Sequence, residues 1–413
     1  MNIRRFLKQV CIQLLLLTLF ACGGGGGGGS SSSSESSSSA PSSNTPTPIP
    51  DYISSNIAAN AISFSVQKSS GNNVNTPFVS VTICQPGTSQ CQTIGNIILD
   101  TGSNGLRVLS SALGSLQLNT QTKNNLPVLE CASFLSGLTW GPVKTADIKM
   151  SSEIASSIPI QVIGDPNFPS APNSYCNGLP SFQDVTNLKA NGILGVSLLA
   201  SDNQNYFSCS GSQNATCTAI TQTTSLQVKN PVTAFATNNN GLIIQTPAIS
   251  STGAISTSGT LYFGIDTQSN NSSSGASVIP ANSSGLFTTT FNGISYTSSL
   301  IDSGSNGLFF PAGNQSSILK SCNSSVGFYC PTATQNYTAS VLLRSNVTGT
   351  INFSVANADS LLASNNYAYS NLAGGLQGQF DWGLPFFFGK TVFFGFTGKS
   401  STNAGTGPYY GYK

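Results

Sequence analysis

Two stretches decide the reading: Ile98-Leu99-Asp100-Thr101-Gly102-Ser103-Asn104-Gly105-Leu106 and Leu300-Ile301-Asp302-Ser303-Gly304-Ser305-Asn306-Gly307-Leu308, which repeat one another 202 residues apart. Each opens as an apolar run suited to a buried strand and closes in a polar glycine turn. Each aspartate is therefore predicted at a strand tip where the chain reverses. Alone, such an aspartate is an ordinary turn residue capping nearby amides. Two of them from duplicated halves can meet across a pseudo-twofold axis. Carboxylates about 3 Å apart do not both ionise readily, so the pair shares one proton. Its ionised member is a base for a bound water and its protonated member an acid toward a substrate carbonyl.

The composition narrows the chemistry. The chain has 413 residues, enough for two packed units, and no histidine. Without imidazole, Ser-His-Asp and Cys-His hydrolases, His-ligated zinc enzymes and haem sites with a proximal His are excluded. Only 13 carboxylates are present, so two in near-identical contexts are hard to ascribe to chance. At 7% charged residues and net charge +2, nothing points to nucleic acid. Solubility rests on Ser, Thr, Asn, Gln and Gly, a make-up common on exposed β surfaces, and 42 glycines with 20 prolines supply turns for many short strands. An all-β chain is expected.

Asp100-Thr101-Gly102-Ser103 and Asp302-Ser303-Gly304-Ser305 resemble the signature loops of pepsin-like aspartic proteases. In that family each lobe also sends an apolar-apolar-Gly segment beneath its aspartate loop. Asn191-Gly192-Ile193-Leu194-Gly195-Val196 is similar to the first, and Asp381-Trp382-Gly383-Leu384-Pro385-Phe386-Phe387, followed by Thr391–Phe396, to the second. Gly259–Asp266 is similar to the strand that opens the second lobe. The resemblance covers most of residues 60 to 400. It implies a bilobal, mostly β acid-protease fold of two similar barrel-like lobes with the cleft between them. It implies Asp100 and Asp302 as the catalytic pair, Ser103 and Ser305 bonded to the outer carboxylate oxygens, and Thr101 and Ser303 bracing the loops across the lobe interface. Gly102 and Gly304 permit the turn. No cofactor or metal is implied, and the ligand is an extended polypeptide.

The pattern departs from the family in two places. The flap segment, about residues 130 to 150, holds Phe134 and Trp140 but no tyrosine, and either aromatic can wall a pocket or belong to the core. Arg107 stands where the family carries a tryptophan. Asp147, Asp165 and Asp184 lack duplicated partners and are expected to be surface or capping residues. Phe386-Phe387-Phe388 reads as core strand. The triplets beginning at Asn271 and Asn346 read as surface loops.

At the amino terminus Arg4, Arg5 and Lys8 precede the apolar run Val10–Ala21, far shorter than the roughly 20 residues of a membrane span. This reads as a signal peptide, residues 1–21. Leu19-Phe20-Ala21-Cys22 resembles the bacterial lipobox, which implies lipidation of Cys22, and Gly23 favours the outer membrane over inner-membrane retention. Residues 22–55 form the lipidated start and a Gly/Ser/Pro tether, with a span of roughly 30 Å if it behaves as a flexible coil. The halves are placed at 56–230 and 259–413, joined by 231–258.

Of ten cysteines, Cys11 leaves with the leader and Cys22 is lipidated. An even set in an exported chain implies disulfides. Proximity alone suggests Cys84–Cys91, Cys209–Cys217 and Cys322–Cys330, leaving Cys131 for Cys176.

The expected protein is a lipid-anchored bacterial envelope monomer that hydrolyses peptide bonds. The alternative is a non-catalytic surface lipoprotein using the cleft to bind peptide or glycan, and the chain also resembles bacterial lipoproteins of no established role. A third reading is a structural envelope component with an occluded cleft.

Overall fold

A computed structural model describes residues 52–68, 71, 73–171, 176, 178–210 and 216–413. The expected signal peptide, the expected lipidation site Cys22 and nearly all of the expected tether lie outside the described residues. The body is tied down from Tyr52, ahead of the predicted boundary. The Tyr52 N–H donates to Asn96 Oδ1 at 3.0 Å and the Ser54 N–H to Ser80 Oγ at 2.7 Å.

The chain is mostly β, as the composition leads one to expect. Strands form one continuous 18-stranded hydrogen-bonded system and a second sheet of seven strands. Asparagine supplies several of the reversals. Asn124 and Asn125, both left-handed, turn Thr122–Lys123 into Leu126–Ser133, and Asn292-Gly293 turns Phe287–Phe291 into Ile294–Ile301. These are the residues that the two-residue turns with the right twist require.

The larger system crosses the predicted inter-lobe boundary. Ala61–Val66, near the start of the body, pairs antiparallel with Thr257–Phe263, bringing Ile62 opposite Leu261. The ladder continues through Gly241–Gln245 and Thr391–Gly395 to Tyr409–Tyr412 and Ser277–Pro280. One hydrophobic core accordingly contains Phe64, Leu99 and Leu194 together with Ile301, Trp382 and Phe394. Behind the second aspartate strand, Phe310 stacks on Phe380 at 5.0 Å and Phe380 on Trp382 at 4.5 Å. Large rings in direct contact make this part of the core stiff. Phe386, Phe387 and Phe388 are buried in that core, but Pro385 places them at a 3-10 turn, Leu384–Phe386, instead of a strand.

Four disulfides join Cys84–Cys91, Cys131–Cys176, Cys209–Cys217 and Cys322–Cys330, the pairs that proximity suggests. Asp184 caps the short helix Val185–Leu188, Asp147 accepts the Gly87 and Ser157 N–H groups, and Asp165 pairs with Lys144 at 2.7 Å. Asn346 is exposed, but Asn271 is buried: its carbonyl accepts the N–H groups of Thr267 and Gln268, so it organises a loop from inside.

Candidate active site

Both aspartate loops are built by the same three-strand device. Cys91–Asp100 runs into the first turn and Asn104–Leu109 leaves it. Gly192–Val196 lies between them, with Leu194 parallel to Leu99 on one side and antiparallel to Leu106 on the other. In the second half, Asp381–Trp382 lies between Ile294–Ile301 and Leu308–Phe310, with Trp382 opposite Ile301 and Leu308. The crossing strand pairs with both flanks of the turn, so the aspartate cannot swing away.

The carboxyl groups are held alike. The Gly102 N–H donates to Asp100 Oδ1 at 2.8 Å and the Ser103 hydroxyl to Asp100 Oδ2. The Gly304 N–H donates to Asp302 Oδ1 at 2.7 Å and the Ser305 hydroxyl to Asp302 Oδ2 at 2.8 Å. The two carboxyls face one another across the turns, and Asp100 is one of the neighbours that raise Asp302. Glycine is what allows this approach. A Cβ on Gly102 would sit 2.4 Å from Asp302 Cγ, and one on Gly304 would sit 2.6 Å from Asp100 Oδ1. Any side chain at either position would push the opposite carboxyl away.

A reciprocal brace fixes the loops to one another. The Thr101 N–H donates to Ser303 Oγ at 3.1 Å, and the Ser303 N–H donates to Thr101 Oγ1 at 2.8 Å. Each hydroxyl then donates onward across the divide, Thr101 to Ile301 O at 3.1 Å and Ser303 to Leu99 O at 2.7 Å. Both residues are buried, so these bonds are shielded from competing water.

Asp100 is 8% exposed, Asp302 is partly exposed, and Gly102 and Gly304 lie at the surface, so the pair opens to solvent between the two turns. Asp302 keeps this opening although protein atoms crowd it closely. Burial holds its carboxyl well above the usual carboxylate range, and the charges of Asp100 and Asp381 push the same way against the Ser305 hydrogen bond.

Asp381 is the residue that the sequence reading passed over. It is 1% exposed, and Ser305 Oγ lies 2.6 Å from its Oδ2. Burial pushes its carboxyl up to about 7, with Asp100 adding to the rise and Ser305 opposing it. Its register counterpart in the first half is Ile193, since Ile193 lies beside Ile98 and Asp381 beside Leu300. An aspartate between Phe380 and Trp382, where the repeat carries isoleucine, was the available signal.

The first half shows the opposite exchange. Arg107 lies next to Ile193, whereas Phe309 lies next to Asp381. The buried Arg107 guanidinium bonds to Glu130 at 2.7 Å, to Asp202, and to Asn104 O at 2.6 Å. Burial alone would weaken its hold on the proton, but Glu130 and Asp202 more than reverse that. Glu130 is raised by burial and by Asp202, with which it shares the single cation. Tyr206 closes the cluster, donating to Asp202 at 2.7 Å.

Glu130 sits on the hairpin formed by Leu126–Ser133 and Leu138–Met150, opposite Gly141. Phe134 begins its turn, with its ring centroid 5.7 Å from the Arg107 guanidinium carbon, and Leu135 beside it is exposed. Trp140 is core: it is 4% exposed, donates to Pro169 O at 2.7 Å and packs edge-on against Phe207.

Among curated proteins none matches the chain. Residues 56–412 match the profile of the family described as "protein of unknown function (DUF3443)", a span that takes in both aspartate loops, both crossing strands and the shared sheet, and the chain belongs to that family.

Proposed function

We propose that the protein is an aspartic endopeptidase of the bilobal, pepsin-like type, using Asp100 and Asp302 on a shared water. The observation that carries this reading is the braced pair: two facing carboxyls, each fixed by a glycine N–H and a serine hydroxyl, on loops tied together by Thr101 and Ser303. Asp302, held protonated by burial and its acidic neighbours, serves as the acid toward the scissile carbonyl. Asp100 serves as the base that takes a proton from the water as its oxygen attacks. The tetrahedral intermediate collapses when the leaving nitrogen takes up a proton, and the pair returns to its singly protonated state. An extended polypeptide is the substrate class, laid across the opening between the turns. The lipobox-like Leu19–Cys22 supports attachment to a bacterial envelope membrane, with the outer membrane favoured by Gly23.

The test is cleavage of a diverse peptide library by the purified protein across acid to neutral pH, beside Asp100→Asn and Asp302→Asn. The reading requires a bell-shaped profile, loss of cleavage in both variants and inhibition by a statine-type mimic of the tetrahedral state. Folded protein that cleaves nothing at any pH would instead assign the opening to binding a peptide or glycan.

A further inference from the structure

Ser305 Oγ contacts two carboxyls at once, Asp302 Oδ2 at 2.8 Å and Asp381 Oδ2 at 2.6 Å, yet a hydroxyl has one hydrogen to give. With Asp100 facing Asp302, four groups form a row of three links, two of them the Ser305 contacts. Three hydrogens are needed and Ser305 supplies one. The other two must be carboxyl protons, so three carboxyls sharing two protons, with one negative charge, is the state that satisfies the row. A simple pair reaches the same charge with one proton.

We propose that Asp381 is a positioning residue of this site: as a neutral acid it donates to Ser305 Oγ and so keeps the Ser305 hydroxyl aimed at Asp302. This rests on reading Asp100 and Asp302 as the reacting pair.

The surroundings of Asp381 favour the neutral form. From its own strand it is flanked by Trp382, and Phe309 and Leu300 lie beside it in the ladder. The aspartate turns contribute Ser305, Asp302 and Asp100. The strand Tyr409–Tyr412 contributes Tyr410, whose hydroxyl donates to Gly285 O at 2.8 Å and whose own ionisation is opposed by burial and by Asp302 and Asp381. The ion pairs among the described residues are Arg107 with Glu130 and Asp202, and Lys144 with Asp165, so none neutralises this group. Asp381 Oδ1 is buried with no hydrogen-bond partner, a placement tolerable for the carbonyl oxygen of a neutral acid and costly for a carboxylate.

When the row loses its second carboxyl proton, the Ser305 hydrogen can serve only one neighbour, and an ionised Asp381 draws it away from Asp302. The alkaline limb of activity then reports the row, not the pair alone. Asp381→Asn keeps a donor toward Ser305 at every pH, and Asp381→Leu removes the competing charge. Both are expected to carry the alkaline limb upward, with about tenfold more activity than wild type one pH unit above its midpoint, and to leave the acid limb in place. Damage to the fold does not extend activity into new pH territory.

A second readout does not depend on cleavage. Infrared difference spectra of the full protein between acid and alkaline pH should show a buried carboxylic-acid C=O band that titrates near neutrality. Of the two acid bands the row requires, that of Asp381 should vanish in Asp381→Asn and shift in frequency in Ser305→Ala, while that of the reacting pair remains. Profiles of both variants that overlay the wild type, or no acid band lost in Asp381→Asn, would overturn the proposal. If the wild type cleaves nothing, the endopeptidase reading fails while the band still decides Asp381. If Asp381→Asn does not fold, absence of a titrating band from wild type, or its indifference to Ser305→Ala, overturns it.

Discussion

Thr101→Val isolates the brace between the two turns. Valine preserves the branched shape and removes one oxygen, which accepts the Ser303 N–H at 2.8 Å and donates to Ile301 O at 3.1 Å. Both ends of the first bond are buried, so the Ser303 N–H is left without a partner in a site that water does not reach readily. Two hydrogen bonds at a net of about 1 kcal/mol each, with a further penalty for the orphaned donor, give a loss of roughly 2–4 kcal/mol. A domain with an ordinary reserve of about 5–15 kcal/mol survives that, so the variant should fold. Guanidinium unfolding followed by tryptophan fluorescence should show a lowered midpoint at unchanged slope. Ser303→Ala removes the mirror-image bonds to the Thr101 N–H and Leu99 O and should cost about as much. The four bonds form one closed set, so the double variant should lose clearly less than the sum of the singles. A Thr101→Val loss below about 1 kcal/mol, or strict additivity with Ser303→Ala, would refute the reasoning that the loops hold each other.

Asp302→Asn should be inactive and yet more stable than wild type at alkaline pH. The folded Asp302 carboxyl titrates well above its ordinary value of 3.8, so its favourable contribution is complete below that value and is lost as pH rises through the raised one. Melting temperature against pH checks this, since the asparagine variant should decline less as pH rises above 3.8. Arg107→Met leaves Glu130 and Asp202 buried without their cation and should cost roughly 3–5 kcal/mol in equilibrium unfolding, partly recovered by adding Glu130→Gln. Among the disulfides, Cys131–Cys176 closes the longest loop, at a separation of 45 residues against 7 or 8 for the others. Its removal by paired Cys→Ala substitution should cost roughly 4 kcal/mol, against about 2.5 kcal/mol for a short loop, by calorimetry.

What the sequence made legible was what repeats or sits close in the chain. The duplicated Asp-Thr/Ser-Gly-Ser turns stand out because both copies keep the residues that hold the carboxyl. The short disulfides stand out because their cysteines are neighbours. What it hid depends on contacts between distant segments where the halves differ. Asp381 reads as one aspartate in an aromatic run until the ladder sets it in the place of Ile193. Arg107 reads as a replacement for an expected tryptophan, and its partners Glu130 and Asp202 lie 23 and 95 residues onward. Trp140, one of only two tryptophans, is marked by its rarity, but only packing against Phe207 assigns it to the core. The boundary near residue 258 follows the repeat, whereas the ladder is drawn by edge pairing and ignores it.

The pairing of Ala61–Val66 with Thr257–Phe263 also sets a timetable for the chain as it emerges during synthesis. The early strand meets Pro77–Cys84 at only two residues, Ser65 and Val66. Its long partner arrives almost two hundred residues later. Asn75 waits longer still, since its side chain bonds to Asn306 O and to the backbone of Tyr369. Until then the first half carries an apolar strand with an open edge, a template for mispairing with another chain. Vectorial emergence therefore cannot complete the first half before the second is available. A polypeptide of this kind favours a route that shields it until its last third is free, and truncation anywhere before Thr257 leaves an aggregation-prone fragment in place of a smaller folded protein.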